Sequence, residues 1–355
     1  MSETATMSET GMCARAAGCA VLFGGTGFIG GFFARFLVDG GHFRKVYLVD
    51  RQPVAAIASP WRRRQLSGDP AIECIAADVR EPFAWVPPEP VALIGNFAAV
   101  HREPGHADAE YYDTNVRGAE QVCAWAARVG CTHMVFTSSI SPYGPGTSRR
   151  DEQSLPVPAT AYGGSKLVAE YIHRAWQAGD SRRRLVIARP GVVFGPGEGG
   201  NVSRLVRAVL GRYFFYAGNR GTRKAGIYVR ELCAALWWGL ERQDATGEAV
   251  ILFNATLYPA PALADYVAAI CAVAGVERRV PSLPYGLLLT AGWLLDLVAR
   301  PLGIAHPFSP VRIRKLVAAN DIVPGYLRAH DYPFRYTLET ALADWRATCP
   351  EEWHR

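Results

Sequence analysis

The sequence predicts an α/β fold: a doubly wound parallel sheet followed by a smaller mixed cap. Three observations carry this expectation. A short apolar run, Cys19 to Phe23, ends in Gly24-Gly25-Thr26-Gly27-Phe28-Ile29-Gly30 and leads into a helical pattern. Strand-like and helix-like stretches then alternate as far as Pro190. Finally, most residues able to do chemistry fall at the C-terminal ends of those strands, where an open parallel sheet places its ligand.

Taken in order, the first helix carries Phe32, Phe33, Phe36 and Leu37 at helical spacing and is stopped by Gly40-Gly41. Gly24, Gly27 and Gly30 let the backbone approach a pyrophosphate at that helix's N-terminus. The next strand, Lys45 to Val49, ends in Asp50, about twenty residues beyond the glycines, where a carboxylate hydrogen-bonds an adenosine ribose. A carboxylate there repels a 2′-phosphate and favours NAD over NADP, while the adjacent Arg51 pulls the other way. A strand at Ile72 to Ala77 delivers Asp78, and one at Val91 to Ala99 is followed by His101-Arg102. A helix from Tyr111 to Arg128 carries Asn115, and the strand His133 to Phe136 delivers Thr137-Ser138-Ser139. After a loop, Pro142 to Pro158, a helix runs from Tyr162 to about Trp176, and the strand Leu185 to Ala188 ends in Arg189-Pro190-Gly191.

Beyond Pro190 the alternation weakens. A glycine-rich loop, Gly195 to Gly200, precedes a helix at Asn201 to Leu210; Ile227-Tyr228-Val229 opens another through Leu240, and Ala249 to Asn254 returns a strand to the sheet edge. Helices are expected at Pro261–Ala274, Tyr285–Ala299 and Thr337–Thr348. The organisation read from this is a disordered polar tail over 1–17, a dinucleotide-binding domain over 18–190 to which 226–255 returns, and a cap from 191–225 and 256–355. The substrate belongs between cap and sheet.

Ala161-Tyr162-Gly163-Gly164-Ser165-Lys166 places a phenol and an ammonium one helical turn apart, on one side of the helix. A free tyrosine ionises near pH 10, so it is a weak base at neutral pH. A lysine ammonium and a cationic nicotinamide nearby favour the phenolate; lowering the pKa by about three units takes roughly 4 kcal/mol. The pair gains meaning from position, because the preceding strand ends in Ser139 and the first turn is a dinucleotide fingerprint.

Composition sets the outer bounds. The 355 residues are 50% hydrophobic and 20% charged, an ordinary globular balance with a core of useful size. The net charge of +6 comes almost entirely from arginine, since Lys45, Lys166, Lys224 and Lys315 are the only lysines. Clusters at Trp61-Arg62-Arg63-Arg64 and Arg182-Arg183-Arg184 read first as solvated loops and helix ends, and second as sites that meet phosphates or an anionic membrane surface; no base-reading motif accompanies them, which argues against nucleic acid. Eight scattered cysteines without Cys-x-x-Cys or paired Cys/His spacing give neither a metal site nor a disulfide framework, and fit a reducing cytosol. The N-terminus repeats Met-Ser-Glu-Thr without the pattern of a signal peptide. The apolar stretch Tyr285–Ala299 is too short to span a bilayer. It reads first as a helix buried in the cap, and second as an apolar surface that rests on a membrane or cradles a polyprenyl chain, with Arg300, Arg312, Arg314 and Lys315 nearby.

Together the glycine turn, Asp50, Asp78, Asn96-Phe97-Ala98-Ala99, Asn115, Ser138-Ser139, Tyr162/Lys166 and Arg189-Pro190 resemble an extended short-chain dehydrogenase/reductase over nearly everything after residue 18. The resemblance implies a Rossmann sheet holding NAD. It implies Ser139 as the hydroxyl on the reacting oxygen, Tyr162 as acid/base, and Lys166 as the group that lowers its pKa and holds the nicotinamide ribose. It extends the cofactor set to Phe28, Ile29, Arg51, Val79, Ala98, Ala99, Pro190 and Val192, with Asp78 at the adenine, and makes His101 and Asn201 candidate substrate contacts. A homodimer through helices is implied as well.

Ala98 to Arg102, Gly199 to Val202, Gly218 to Val229, Leu283 to Gly286 and Ser309 to Lys315 resemble bacterial polysaccharide-pathway epimerases. That narrower resemblance is to the type that inverts C4 of N-acetylglucosamine on undecaprenyl diphosphate. It implies a diphosphate-linked N-acetylhexosamine as substrate, on UDP or a polyprenyl carrier, and work in the cytoplasm or at the inner face of the membrane. Soluble nucleotide-sugar epimerases usually carry Asn where this chain has Val192. The alternative is a net reductase of a 4-keto-6-deoxy nucleotide sugar, or a hydroxysteroid-type dehydrogenase.

Overall fold

A computed structural model describes residues 18–103, 105–146, 148–299 and 319–354, with the side chains of 296–299 excepted. The expected tail over 1–17 and the segment Ser309 to Lys315 lie outside the described residues.

The chain opens with β1 (Cys19–Phe23), whose five residues are all buried, and turns through the glycines into α1 (Phe28–Asp39). There follow β2 (Val46–Asp50), α2 (Pro60–Leu66), β3 (Ile72–Ala76), β4 (Val91–Asn96), α3 (Asp108–Arg128), β5 (His133–Thr137), α4 (Ala161–Ala178) and β6 (Arg184–Pro190). With β10 (Val250–Ala255), the seven strands form one sheet in the spatial order β10-β6-β5-β4-β1-β2-β3, and every pairing is parallel. The strand order reverses between β1 and β4, which opens a crevice at their C-terminal ends.

Both faces are covered, so the central strands are apolar throughout instead of alternating. On one face Phe33, Leu37, Leu236, Leu240 and Phe253 pack together; on the other, Val21, Ile94, Trp125, Phe136 and Trp176 do so. The second face holds α3 and α4 side by side.

The expected return of a strand to the sheet edge is observed: Asn254 pairs with Arg189 and Ala255 with Pro190. Several boundaries move by a few residues, and one changes an element: Ile227 and Tyr228, expected with Val229 to open a helix, belong to a strand, β9 (Gly226–Tyr228), that pairs with β7 (Val192–Phe194), and α6 begins only at Val229 and runs to Thr246. Three residues are too few to display a period-two pattern, so the partner strand decides.

A third apolar cluster joins α5 (Asn201–Leu210), α7 (Leu263–Ala274) and α10 (Leu338–Thr348) around Phe194, Tyr228, Trp345 and Trp353. Beside it a two-stranded ribbon of β8 (Tyr216–Ala217) and β11 (Ser282–Leu283) leads into α8 (Tyr285–Ala299); the short α9 (Gly325–Ala329) packs near β10. The first reading of α8, burial in the cap, is corrected. Gly292 is buried and Tyr285, Leu288 and Leu289 are partly covered, one face at i, i+3, i+4, i+7 spacing. Leu287, Trp293 and Leu294 on the opposite side are 61%, 55% and 65% exposed. No helix among the described residues is long and apolar enough to cross a membrane.

Candidate active site

The glycine turn is shaped by close approach. Gly24 has φ +70°, and a Cβ there would lie 2.5 Å from the Ala98 nitrogen, so the turn packs directly on the segment after β4. A Cβ on Gly27 or Gly30 would run into the Gly24 carbonyl. Gly27 caps α1 without any side chain, which leaves the first-turn N–H groups of Phe28, Ile29 and Gly30 pointing at the crevice. Asp50 steadies the turn: its carboxylate accepts from the backbone N–H of Thr26 at 3.3 Å and of Gln52 at 3.1 Å. These features fit the pyrophosphate and ribose of an adenine dinucleotide.

Of the two arginine clusters, the first departs from the solvated reading and the second follows it. Arg62, expected in a solvated cluster, is partly buried: it donates to the Thr26 carbonyl at 2.7 Å and lies 5.6 Å from the centre of the Phe28 ring. Burial pushes its pKa down to about 10, partly offset by Asp50. Arg182 turns back onto Asp180, and Arg183 lies over Trp176, so that cluster is spent on its own loop. Asp78 follows β3 beside Asp50 and is held by Arg80, with Arg51 3.6 Å away; hydrogen bonding from Arg80 brings its carboxyl down to about 2. Val79 packs against Gly118 of α3.

The segment after β4 is held by two side chains. Asn96 Oδ1 accepts from the Ala98 N–H at 3.3 Å, and Asn115 of α3 brackets Val100, accepting from its N–H at 2.9 Å and donating to its carbonyl at 3.1 Å. Asn115 also donates to Ser165 Oγ at 2.9 Å. It is therefore the structural hydrogen-bonder of α3, and it sets Ala98, Ala99 and Val100 against α4. His101 lies just beyond, exposed at the mouth.

At the end of β5 the Ser139 hydroxyl accepts from the Ser141 N–H at 3.1 Å and donates to Ser141 Oγ at 3.1 Å, and it lies near enough to the Tyr162 phenol to favour its ionised form. Thr160 caps α4 by accepting from Gly163, which brings Tyr162 into the first turn facing Ser139. Lys166 is buried one turn later; its ammonium donates to the Thr137 carbonyl at 2.7 Å and lies 4.8 Å from the centre of the Phe136 ring. The protein groups alone act differently from the expectation, which counted a cationic nicotinamide as well as the lysine. Burial dominates Tyr162, pushing its phenol up to about 12 with only the Ser139 hydroxyl opposing, while the lysine charge is turned to Thr137. Burial likewise brings Lys166 down to about 7, against the pull of Glu170.

Two buried groups escaped the sequence reading. Glu170 accepts from Ser138 Oγ at 2.5 Å and takes a forked pair from Arg189, Nε at 2.9 Å and Nη2 at 2.7 Å. His173 sits beside Asn96 and stacks on Phe136 at 4.0 Å. The signal available was spacing alone: Glu170 and His173 follow Lys166 at i+4 and i+7, on the face that meets the sheet.

Pro190 accepts from the Ile140 N–H at 3.1 Å, which ties β6 to the Ser139 loop. Val192 opens β7, and its N–H is engaged by the Ala225 carbonyl. Asn201 opens α5 in solvent, where its Oδ1 accepts from Arg204 at 2.6 Å. Among the described residues, no cluster of His, Cys, Asp or Glu has the geometry of a metal site.

A dinucleotide turn at the switch point, with a serine, a tyrosine and a lysine gathered at the neighbouring strand end, defines an enzyme of the extended short-chain dehydrogenase/reductase class. The chain belongs to the NAD-dependent epimerase/dehydratase family, whose model matches residues 20–252, and NAD is its cofactor. It is 29% identical over 248 residues (69% of this chain, 73% of the relative) to the N-acetyl-α-D-glucosaminyl-diphospho-ditrans,octacis-undecaprenol 4-epimerase of Escherichia coli O157:H7. It is 26% identical over 302 residues, 81% of each chain, to a putative dihydroflavonol 4-reductase of Synechocystis sp.. Among solved structures, UDP-glucuronic acid 4-epimerase from Bacillus cereus in complex with NAD superposes with a TM-score of 0.69 at 15% identity, covering 95% of this chain and 100% of that one.

Proposed function

We propose that this enzyme inverts C4 of an N-acetylhexosamine carried on a diphosphate, UDP or polyprenyl, during assembly of a surface polysaccharide such as O-antigen. The observation that carries the chemistry is the gathering of Ser139 at the end of β5, Tyr162 in the first turn of α4 and buried Lys166 one turn later, beside the dinucleotide turn. The likeness to the Escherichia coli enzyme, spanning 69% of the chain, supports the choice of position and substrate class.

In this mechanism Tyr162 removes the proton from the 4-hydroxyl while Ser139 donates a hydrogen bond to that oxygen as it becomes a ketone. NAD, when bound, supplies the redox chemistry of the step: it takes up a hydride and gives it back. Gly24, Gly27, Phe28, Ile29 and Gly30 hold its pyrophosphate. Asp50 and Arg51 take the adenosine ribose, Asp78 and Val79 the adenine; Ala98, Ala99, Pro190, Val192, Tyr162 and Lys166 line the rest. The 4-keto sugar would turn over in the site so that the other face of C4 meets the hydride donor, and Tyr162 would return the proton to the 4-oxygen. His101 and Asn201 contact the substrate, and residues 191–225 with 256–355 form the part that holds it.

Two surfaces extend this reading. The exposed side of α8, with Leu287, Trp293, Leu294 and Leu295 and no charge from Tyr285 to Leu295, suits the interfacial region of an anionic membrane from which a lipid-linked sugar is presented. Tyr112, Val168 and Tyr171 are exposed on α3 and α4 and suit a homodimer through those helices.

A net reductase is the second reading, favoured by the likeness to the Synechocystis reductase over 81% of each chain. Incubation with UDP-GlcNAc and with GlcNAc-diphosphopolyprenol separates the two. Inversion at C4 without net change in NADH absorbance supports the epimerase; stoichiometric NADH consumption supports the reductase.

A further inference from the structure

Behind the residues that face the crevice, five buried side chains from four parts of the fold form one continuous polar belt. Ser138, at the end of β5, donates to Glu170 of α4, and Glu170 takes the forked pair from Arg189 of β6. The Arg189 guanidinium lies 4.8 Å from the centre of the Tyr143 ring, and the Tyr143 hydroxyl donates to Asn254 Oδ1 of β10 at 2.9 Å. Asn254 Nδ2 then donates to the carbonyl of Val323, in the segment that leads to α9, at 2.9 Å. None of the five is more than 5% exposed.

A buried ion pair of this kind costs desolvation, and an apolar replacement of the same shape is often at least as stable. A pair placed there at that cost points to a use beyond stability. Glu170 lies one turn from Lys166 on the buried face of α4, and among the described residues Lys166 has no carboxylate within ion-pair distance; its close partners there are a carbonyl and a ring. The charged and titratable groups around Lys166 come from every side. Tyr162, Glu170 and His173 share its helix, His101 follows β4, and Arg189 lies behind Glu170 on β6. Of these, Glu170 is the anion.

We infer that Glu170, with Arg189 as its counter-ion, is the positioning residue of the site. It ties the strand end carrying Ser139 to the helix carrying Tyr162, and its charge keeps Lys166 an ammonium. This rests on Lys166 belonging to the site proposed above. Glu170 touches neither substrate nor cofactor; it acts through Ser138 and Lys166. The direction of the burial effect on Lys166, downward and opposed by Glu170, agrees with this role.

The test uses the full chain and the fact that it has four lysines. With ¹³C at the lysine ε-carbon, the Lys166 resonance is assigned by its loss in Lys166→Arg and titrated directly, without any assay of turnover. Glu170→Gln keeps the shape and the bond to Ser138 but leaves Arg189 unopposed. Its Lys166 midpoint is expected about one pH unit or more below that of the wild type. Arg189→Met leaves Glu170 unopposed and is expected to hold the midpoint at or above the wild-type value. If Glu170→Gln does not fold, Glu170→Gln/Arg189→Met removes the pair whole; its midpoint is expected below wild type, because Glu170 is the nearer charge. In kinetics, Glu170→Gln is expected to lower kcat with little change in KM. A Lys166 midpoint that stays at the wild-type value in the folded Glu170→Gln protein, or in the double variant, overturns the inference even if turnover is lost. A lowered midpoint in a protein that turns over neither substrate upholds it and refutes the epimerase reading instead.

Discussion

The Asn96 side chain and the His173 ring, 77 residues apart in sequence, meet at 3.1 Å in the buried seam between β4 and α4. The roles follow from the far side of the ring. His173 Nδ1 lies 2.7 Å from the Ala169 carbonyl, which can only accept, so Nδ1 carries the hydrogen and Nε2 accepts from the Asn96 amide. Asn96 Oδ1 is thereby aimed at the Ala98 N–H, in the segment that lines the cofactor. A neutral imidazole is built into the site.

Burial holds the pKa of His173 down at about 4, below the unfolded value near 6.5. The unfolded chain then binds the proton first as pH falls. The contribution is complete above about pH 6.5 and is lost between there and pH 4, amounting to about 3 kcal/mol at the lower end. Urea unfolding followed from pH 7 to pH 4 measures it. His173→Leu is expected to be weaker at neutral pH, by about 1–3 kcal/mol for the unpaired Asn96 amide, yet to show a flatter pH slope.

Gly24→Ala tests the turn. At φ +70° an L side chain costs about 1–2 kcal/mol, and the new Cβ meets Ala98 besides. The variant is expected to lose stability by at least that amount and to bind NAD far more weakly, read from quenching of intrinsic fluorescence.

Asn115→Leu removes the bracket on Val100 and leaves its partly buried N–H and carbonyl without those partners, and Ser165 without its donor. A loss of about 2–4 kcal/mol is expected by chemical denaturation. NAD affinity is expected to fall with it, since the same segment carries Ala98 and Ala99.

Ser139→Ala deletes the hydroxyl beside Tyr162 and is expected to lower kcat by about 10²–10³. NAD binding, which the strand and the glycine turn provide, is expected to remain. A kcat within a few-fold of wild type contradicts the role given to Ser139.

What the sequence disclosed and what it hid divide along a physical line. Gly24, Gly27 and Gly30, Asp50 at a strand end, and Tyr162 with Lys166 are short-range patterns whose spacing implies their geometry. The Glu170–Arg189 pair, the Asn96–His173 contact and the Asn254–Val323 bond join parts of the chain that only the sheet order brings together. Gly226–Tyr228 became a strand because Val192–Phe194 lies beside it, which no local period records. The α8 helix was misjudged for a related reason: an apolar sequence predicts burial, but only the packing of Tyr285, Leu288, Leu289 and Gly292 reveals which side is covered. The Lys166 ammonium was expected beside the phenol, yet its nearest partner is the Thr137 carbonyl, a backbone group that side-chain spacing does not register.

The most direct test compares wild type with Tyr162→Phe on GlcNAc-diphosphopolyprenol and on UDP-GlcNAc, following C4 by NMR and bound NAD by absorbance. The account predicts inversion at C4 by the wild type without net NADH. It predicts a loss of about 10²–10⁴ or more in Tyr162→Phe, with NAD still bound. Near-normal inversion by Tyr162→Phe would contradict it.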